Sequence, residues 1–257
     1  MPEQSATSRN CSSDSLSSLV SVSIVSHGHG EMVNHLIADL VAITATRLEV
    51  IVTNNIPASR SDFGATVPFP VILLENAQPK GFGANHNAAF RRSQGEFFCV
   101  LNPDIRISSD PFPALLAELS RPQVGAAAPR ILSPSGGVED SARRFPTAAL
   151  LVRKALGGAR TIDYPIVDKP ISPDWVAGMF MLFRREIFAE VGGFDESYFL
   201  YYEDVDLCRR LRRRGFDVRM VPSVDVIHDA RRESRRSLRY LSWHIESMLR
   251  YFLQPVK

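Results

Sequence analysis

Two groups of carboxylates stand where they could do chemistry. Asp104 follows the apolar run Phe97 to Leu101 through the turn Asn102-Pro103. Proline fixes φ and interrupts a strand. In open α/β sheets, ligands gather at the carboxyl ends of strands. A carboxylate there suits Mg²⁺ or Mn²⁺, which combine carboxylate oxygens with substrate phosphates. It equally suits an Asx turn that only closes the strand. The second group is Glu203, Asp204 and Asp206, directly after the aromatic stretch Tyr198 to Tyr202. The helix dipole favours acidic residues at a helix start, which gives a purely structural reading. Three carboxylates in four residues exceed what a cap needs. Apolar surroundings would also raise a carboxylate's pKa toward that of a useful base.

Other reactive residues carry weaker signals. His228 ends the strand-like run Val218 to Ile227, which Pro222 interrupts. A lone histidine at a strand end is usually structural and matters here only if it converges on Asp104. Gly81-Phe-Gly83 is half of a dinucleotide fingerprint, but His86 stands where the third glycine belongs. The chain has no Walker loop, no G-x-S-x-G elbow and no H-E-x-x-H. His27 and His29 are too few to hold zinc. The three cysteines, Cys11, Cys99 and Cys208, form no C-x-x-C pair. That argues against a cysteine zinc site and fits a reducing compartment.

The elements that must position these residues alternate β and α. Val20 to Val25 and Leu48 to Thr53 are β-branched strands. Pro70 to Leu74, Phe97 to Leu101 and Val124 to Ile131 follow as further strands. Glu31 to Ala45, Gly83 to Ser93 and Pro111 to Leu119 have helical spacing. Repeated β-α-β predicts a mainly parallel sheet with helices on both faces. Ser133 to Pro173 is rich in Pro, Gly and Arg and reads as a long, partly mobile excursion. Trp175 to Phe183 reads as a buried strand or core segment and Arg184 to Val191 as a short helix. Glu203 to Arg214 is a helix closed by Gly215, and Ser234 to Phe252 is an amphipathic helix.

The chain has 257 residues, 45% hydrophobic and 23% charged, so it can bury a large core without disulfides. No interdomain linker is visible. The reading is a disordered Ser-rich leader over residues 1–19 and a single domain over 20–257. That domain divides into 20–132, 133–228 and a basic helix over 229–257. The leader lacks the pattern of a secretory signal, and no apolar run approaches the ~18 residues that span a bilayer. From Leu207 onward there are 13 Lys+Arg against 5 Asp+Glu, and before it 17 against 23. A basic end on a near-neutral to acidic body suggests an anionic partner there. Arg231, Arg232, Arg235, Arg236 and Arg239 precede or open a helix carrying Leu238, Leu241, Ile245, Leu249 and Phe252. It reads as a domain-closing helix with a solvated basic face, or as a helix lying on an anionic membrane. Nucleic acid is disfavoured, because aromatics do not interleave with the arginines along a groove.

Taken in order, these segments resemble the family 2 inverting glycosyltransferases of the GT-A fold, in their bacterial rhamnosyltransferase-like branch. The resemblance covers roughly Val20 to His228. It rests on Val22-Ser-Ile-Val25, Val50-Ile-Val-Thr-Asn-Asn55 and the asparagine-rich stretch Asn76 to Asn87. It rests further on Leu101-Asn-Pro-Asp104, Trp175 to Arg184, Gly192-Gly-Phe-Asp195 and Glu203-Asp-Val-Asp-Leu-Cys-x-Arg210. The family's D-x-D has Asn102 in its first carboxylate position, and the turn Ser26 to Gly30 departs from the family's usual ending.

The resemblance implies a nucleotide-diphosphate sugar donor, an acceptor hydroxyl on a saccharide or lipid-linked saccharide, and inversion. It implies Mg²⁺ or Mn²⁺ held by Asp104, with His228 as a second ligand. Asp204 would be the base, with Asp206 or Glu203 as substitutes. Trp175, Gly178 and Asp195 would orient the acceptor, and Asn54, Asn85 and Asn87 would meet the base or ribose. Arg130 and Arg184 are weaker diphosphate candidates beside an ordinary surface role. The expected place is the cytoplasm, free or peripheral on the inner face of the plasma membrane. Competing readings are a nucleotidyltransferase, which should carry a basic glycine-rich triphosphate loop absent near Val25, and a sugar-nucleotide binder without catalysis.

Overall fold

The computed structural model describes residues 18–56, 67–147, 162–229 and 238–254. Most of the leader, Cys11, the middle of the Ser133–Pro173 excursion and four of the five tail arginines lie outside the described residues. The strands are β1 (Leu19–Ser26), β2 (Arg47–Asn54), β3 (Val71–Glu75), β4 (Phe97–Leu101) and β5 (Ile105–Arg106). They continue as β6 (Val124–Leu132), β7 (Ala142–Arg143), β8 (Trp175–Val176), β9 (Phe180–Arg184) and β10 (Asp217–His228). The helices are α1 (Gly30–Ile43), α2 (Phe82–Arg92), α3 (Phe112–Leu119), α4 (Arg185–Glu190), α5 (Glu203–Arg213) and α6 (Leu238–Leu253). Eight strands form one sheet in the order β3-β2-β1-β4-β9-β6-β10-β5, and β7-β8 form a second, small one. β1 to β4 are parallel, as β-α-β repetition requires.

β1 shows how both faces are covered. Val20, Val22 and Ile24 are fully buried in the layer formed with Val33, Leu36 and Leu40 of α1. The alternate residues Ser21 and Ser23 are also fully buried, so the alternation does not mark a wet face. Their hydroxyls are satisfied instead: Ser21 donates to Glu49 and Ser23 bonds His86 Nδ1 at 2.8 Å. A central parallel strand is covered on both sides, and its polar side chains must find partners. α1 and α3 pack on one face, with Phe112, Leu115 and Leu119 in the same cluster. α2, α4 and α5 supply the other face through Ala89, Phe188, Leu207 and Leu211.

The run Trp175 to Phe183 is not one strand. It breaks at Gly178, with Trp175–Val176 paired to Ala142–Arg143 and Phe180–Arg184 paired antiparallel to β4. The break serves a side chain, because the Gly178 N–H is turned to Asp204 and leaves the ladder. β9 enters the sheet antiparallel between β4 and β6, so it starts where β4 ends. Asn102 N–H donates to Met179 O at 2.9 Å across that junction. Pro222 is absorbed by a register shift between Val221 and Asp225, which lets β10 run unbroken from 217 to 228. Its last residue, His228, pairs with Ile105 of β5 and so arrives beside Asp104.

Candidate active site at the carboxyl edge of the sheet

His228 does converge on Asp104. Its Nε2 lies 3.2 Å from Asp104 Oδ2, and its Nδ1 lies 2.9 Å from Glu139 Oε2. Burial works against protonation of the ring, but the hydrogen bonds and charges of Asp104 and Glu139 outweigh it and raise its pKa to about 9. Asp104 Oδ1 is buried with no hydrogen-bond partner among the described residues. One unsatisfied carboxylate oxygen beside an imidazole nitrogen is a fitting donor set for a divalent ion that completes its shell with phosphate oxygens. Coordination would replace the proton between His228 and Asp104. Glu139 then orients the ring from its far nitrogen, an arrangement common around metal-bound histidine. The three groups form a chain through the ring and do not converge on one point. Accordingly, no cluster of three or more His, Cys, Asp or Glu among the described residues is arranged to hold a metal unaided. A cavity of about 210 Å³ opens on Asp104, lined also by Glu31, His35, Arg106 and Asp229.

The second group sits at the start of α5. Tyr201 and Tyr202 both take positive φ, 71° and 66°, a conformation that costs free energy in a bulky residue. This double left-handed turn aims the next two side chains inward. Asp204 Oδ2 accepts the Gly178 N–H at 2.9 Å and Oδ1 accepts the Val205 N–H at 2.8 Å. Burial raises its pKa, while those two donors and the charge of Arg143 restrain the rise. Glu203 is 5% exposed and its Oε2 lacks a partner among the described residues. Burial, and then the charge of Asp204, lift its pKa well above the usual value. Burial thus raises both carboxyls of the pair.

Glu203 gives a pH test with a definite sign. A carboxyl whose folded pKa is raised stabilises the fold fully below its unfolded value, and that contribution is lost as pH rises through the folded value. Glu203→Gln should melt close to wild type near pH 4 and progressively above it toward pH 8 (about the range of a raised carboxyl). Thermal melts across that range check it; a constant gap would show that Glu203 has no raised pKa.

Asp206 has a different job. It is 5% exposed, with Oδ2 held by Arg210 Nε at 2.7 Å and Oδ1 by Arg209 at 3.1 Å. Arg210 in turn donates to the carbonyls of Val191 and Gly193. The pair ties α5 to the Gly192-Gly193 turn, and both carboxylate oxygens are spent. Asp206, expected above as a substitute base, is committed to ion pairs with Arg209 and Arg210. On a helix, two residues apart means roughly opposite sides.

Asn85 and Asn87 are likewise engaged. Asn85 donates to the carbonyls of Lys80 and Gly81 and accepts from Asn76 at 2.7 Å. Asn87 donates to Phe194 O and Glu196 and accepts the Phe194 N–H. These amides hold loops in place, one shaping the edge and one fastening α2 to residues 193–196. Asn54 is buried at the end of β2 and its carbonyl accepts the Asn76 N–H. Asn55 bridges His27 Nδ1, Lys80 and Asn76, so it is the hub of this network. Trp175 is buried, donates to Arg144 O at 2.9 Å and lies under the Arg143 guanidinium at 5.4 Å. Asp195 accepts the Ser197 N–H and lines a larger cavity of about 580 Å³ with Arg209 and Arg210. Neither Asp104 nor Asp204 lines that cavity. Arg130 is locked bidentate on Asp225, and Arg184 donates to Pro122 O.

The two carboxylate groups belong to one edge. Asp104 lies two residues after Asn102, whose N–H donates to Met179 O, and Gly178, the residue before Met179, donates to Asp204. The aromatic run joins from the other side. Phe82 N–H donates to Phe199 O at 2.9 Å, and a Cβ on Gly81 would stand 2.7 Å from the same oxygen. Only glycine permits that approach.

In an open, mostly parallel sheet the carboxyl edge is where ligands bind, and comparison with known proteins identifies the family. The chain belongs to the glycosyltransferase-like family 2, whose model matches residues 18–250. The N-acetylglucosaminyl-diphospho-decaprenol L-rhamnosyltransferase of Mycobacterium tuberculosis (strain ATCC 25618 / H37Rv) is 30% identical over 243 residues, covering 83% of this chain and 76% of that protein. Rhamnosyltransferase WbbL of Escherichia coli (strain K12) is 29% identical over 245 residues, covering 91% and 92%. GalNAc-T7, solved with UDP, GalNAc and Mn²⁺, superposes with a TM-score of 0.69 at 15% identity, over 90% of this chain and 48% of that one. The mannosyltransferase PcManGT from Pyrobaculum calidifontis, in complex with GDP-Man and Mn²⁺, gives 0.59 at 19% identity, over 90% and 64%. This chain thus spans about half of the GalNAc-T7 chain, and the likeness to both structures is one of fold, the GT-A fold.

Proposed function

We propose that this glycosyltransferase moves a sugar, rhamnose by the names of its two relatives, from a nucleotide-diphosphate donor to an acceptor hydroxyl with inversion. The acceptor is a saccharide or lipid-linked saccharide in the assembly of bacterial cell-surface polysaccharide. One observation supports the reading: at the junction of β4 and β9, Asn102, two residues before the Asp104–His228 pair, bonds Met179, and the adjacent Gly178 bonds Asp204.

In this reading Asp204 accepts the proton of the acceptor hydroxyl. The acceptor oxygen bonds to the anomeric carbon from the side opposite the leaving group. The bond from that carbon to the phosphate oxygen breaks, and its electron pair leaves with the nucleoside diphosphate. The N–H groups of Gly178 and Val205 keep Asp204 in one orientation, and its burial makes it a stronger base. A divalent ion bound by Asp104 and His228 would neutralise the charge that the diphosphate gains. Trp175 and Gly178 wall the acceptor side, and the Asn55 network shapes the rim near the base.

The cytoplasm is the proposed place of work, a reading supported by the buried, unpaired Cys99 and Cys208. Among the described residues no helix is long and apolar enough to cross a membrane.

A thermal-shift screen of nucleoside diphosphate sugars, with and without Mn²⁺, tests the donor. A ligand at 100 times its Kd adds about 2.7 kcal/mol, or roughly 5–10 °C for a chain of this size. Shifts that need both sugar nucleotide and Mn²⁺, followed by transfer with an inverted product anomer, are expected. A shift without turnover on any acceptor would favour a sugar-nucleotide binder.

A further inference from the structure

The last helix has two apolar faces, and only one is used. Inward, α6 lays Trp243 on Phe199 at 4.6 Å and Tyr251 on Tyr202 at 5.4 Å. Ser247 donates to Leu200 O, and Arg209 stacks on Tyr251 at 4.2 Å. The opposite face carries Leu238, Leu241, Ile245, Leu249, Phe252 and Leu253, all between 40% and 83% exposed. Their spacing of three and four residues places them in one stripe about 180° from Ser247. Domain closure therefore accounts for the aromatic side of α6 and leaves the aliphatic side unexplained. A continuous exposed stripe of this kind marks an interaction surface.

We propose that this aliphatic face of α6 seats the enzyme on an anionic lipid surface. Charge argues for that occupant. Residues 230–257 hold seven Lys or Arg against two Glu, with Arg231, Arg232, Arg235, Arg236 and Arg239 adjoining the stripe in sequence. Arg239 is itself held over Trp243 at 4.8 Å, at the border between the two faces. An amphipathic helix with a basic flank lies in the headgroup region, its apolar side in the acyl boundary. At 16 residues α6 is about 24 Å long, which suits lying in the interface and not crossing it.

The position of α6 gives the docking a purpose that rests on the function proposed above. The helix packs on the residues that lead directly into Glu203 and Asp204. A bilayer against its outer face would bring a lipid-linked acceptor to the side of the site that holds the base.

The test uses the full chain and vesicles without substrate. Wild type should sediment with vesicles containing roughly one third phosphatidylglycerol, and roughly tenfold less with phosphatidylcholine alone. Raising salt from about 0.1 M to about 0.5 M should weaken the binding. The triple variant Leu241→Ser, Ile245→Ser, Leu249→Ser should lose roughly tenfold or more in vesicle binding while keeping its melting temperature, since these side chains leave the core untouched. Wild type that stays in the supernatant, or a folded variant that still sediments, overturns the proposal. So does a dimer in ultracentrifugation that the triple variant dissolves, because a second copy would then own the face. Donor binding in solution separates this result from the function. A protein that transfers sugar but ignores vesicles refutes the docking alone, and one that docks but binds no sugar nucleotide refutes the reaction alone.

Discussion

Asp204→Asn should bind the donor as wild type does and transfer the sugar roughly 10²–10⁴-fold more slowly, the usual contribution of a general base. The side chain keeps its size and one acceptor oxygen, but an amide takes no proton. Its NH₂ must also face one of the two N–H groups that Asp204 now accepts, from Gly178 and Val205, a mismatch of about 1–3 kcal/mol visible as a lower melting temperature. Isothermal titration with the sugar nucleotide, beside single-turnover transfer, separates binding from chemistry. Asp206→Asn is the control. It leaves Arg210 buried without its carboxylate, which costs about 3–5 kcal/mol, so this variant should be clearly less stable. At a temperature where it is folded, it should transfer within a few-fold of wild type. A folded Asp206→Asn without activity, beside an active Asp204→Asn, would exchange the two roles.

Asp104→Ala should abolish measurable transfer with Mg²⁺ or Mn²⁺ while the fold persists. The carboxylate sits in a turn at the sheet edge, partly exposed, and its removal opens no core cavity. The loss should appear in binding, with Mn²⁺-dependent affinity for the nucleoside diphosphate falling by about 100-fold. Glu139→Gln, which only orients His228, should cost less, about 10-fold. This graded pair is informative because a merely structural Asp104–His228–Glu139 chain would lose stability in both variants without a metal-dependent difference. Full activity of Asp104→Ala, or of wild type in excess chelator, would remove the metal from this site.

Much of the frame was legible locally. The β-branched runs at residues 20–25 and 48–53 became β1 and β2, and the helical spacing at Gly83 to Ser93 became α2. Such elements depend on side-chain periods of two and 3.6 residues, which neighbouring residues specify among themselves. Asp104 was visible because Pro103 ends an apolar run. Glu203 and Asp204 stood out by their density behind an aromatic stretch. Glu139 carried no signal, since it lies in a stretch without periodicity and its partner is 89 residues away. The burial of Ser21 and Ser23 was hidden for a related reason, as alternation reads the same whether the second face meets water or α2.

By itself, then, the sequence determined a β-α-β protein, its main elements, and carboxylates at the ends of particular ones. The tertiary structure decided which of these meet. β9 runs antiparallel into the sheet and delivers Gly178 to Asp204; β10 ends opposite β5 and delivers His228 to Asp104. It also turned Asp206 to Arg210 and left the aliphatic side of α6 in solvent. Strand order, register and helix rotation are set by packing between segments distant in the chain. No local spacing encodes those contacts, because each depends on where a different part of the chain comes to rest.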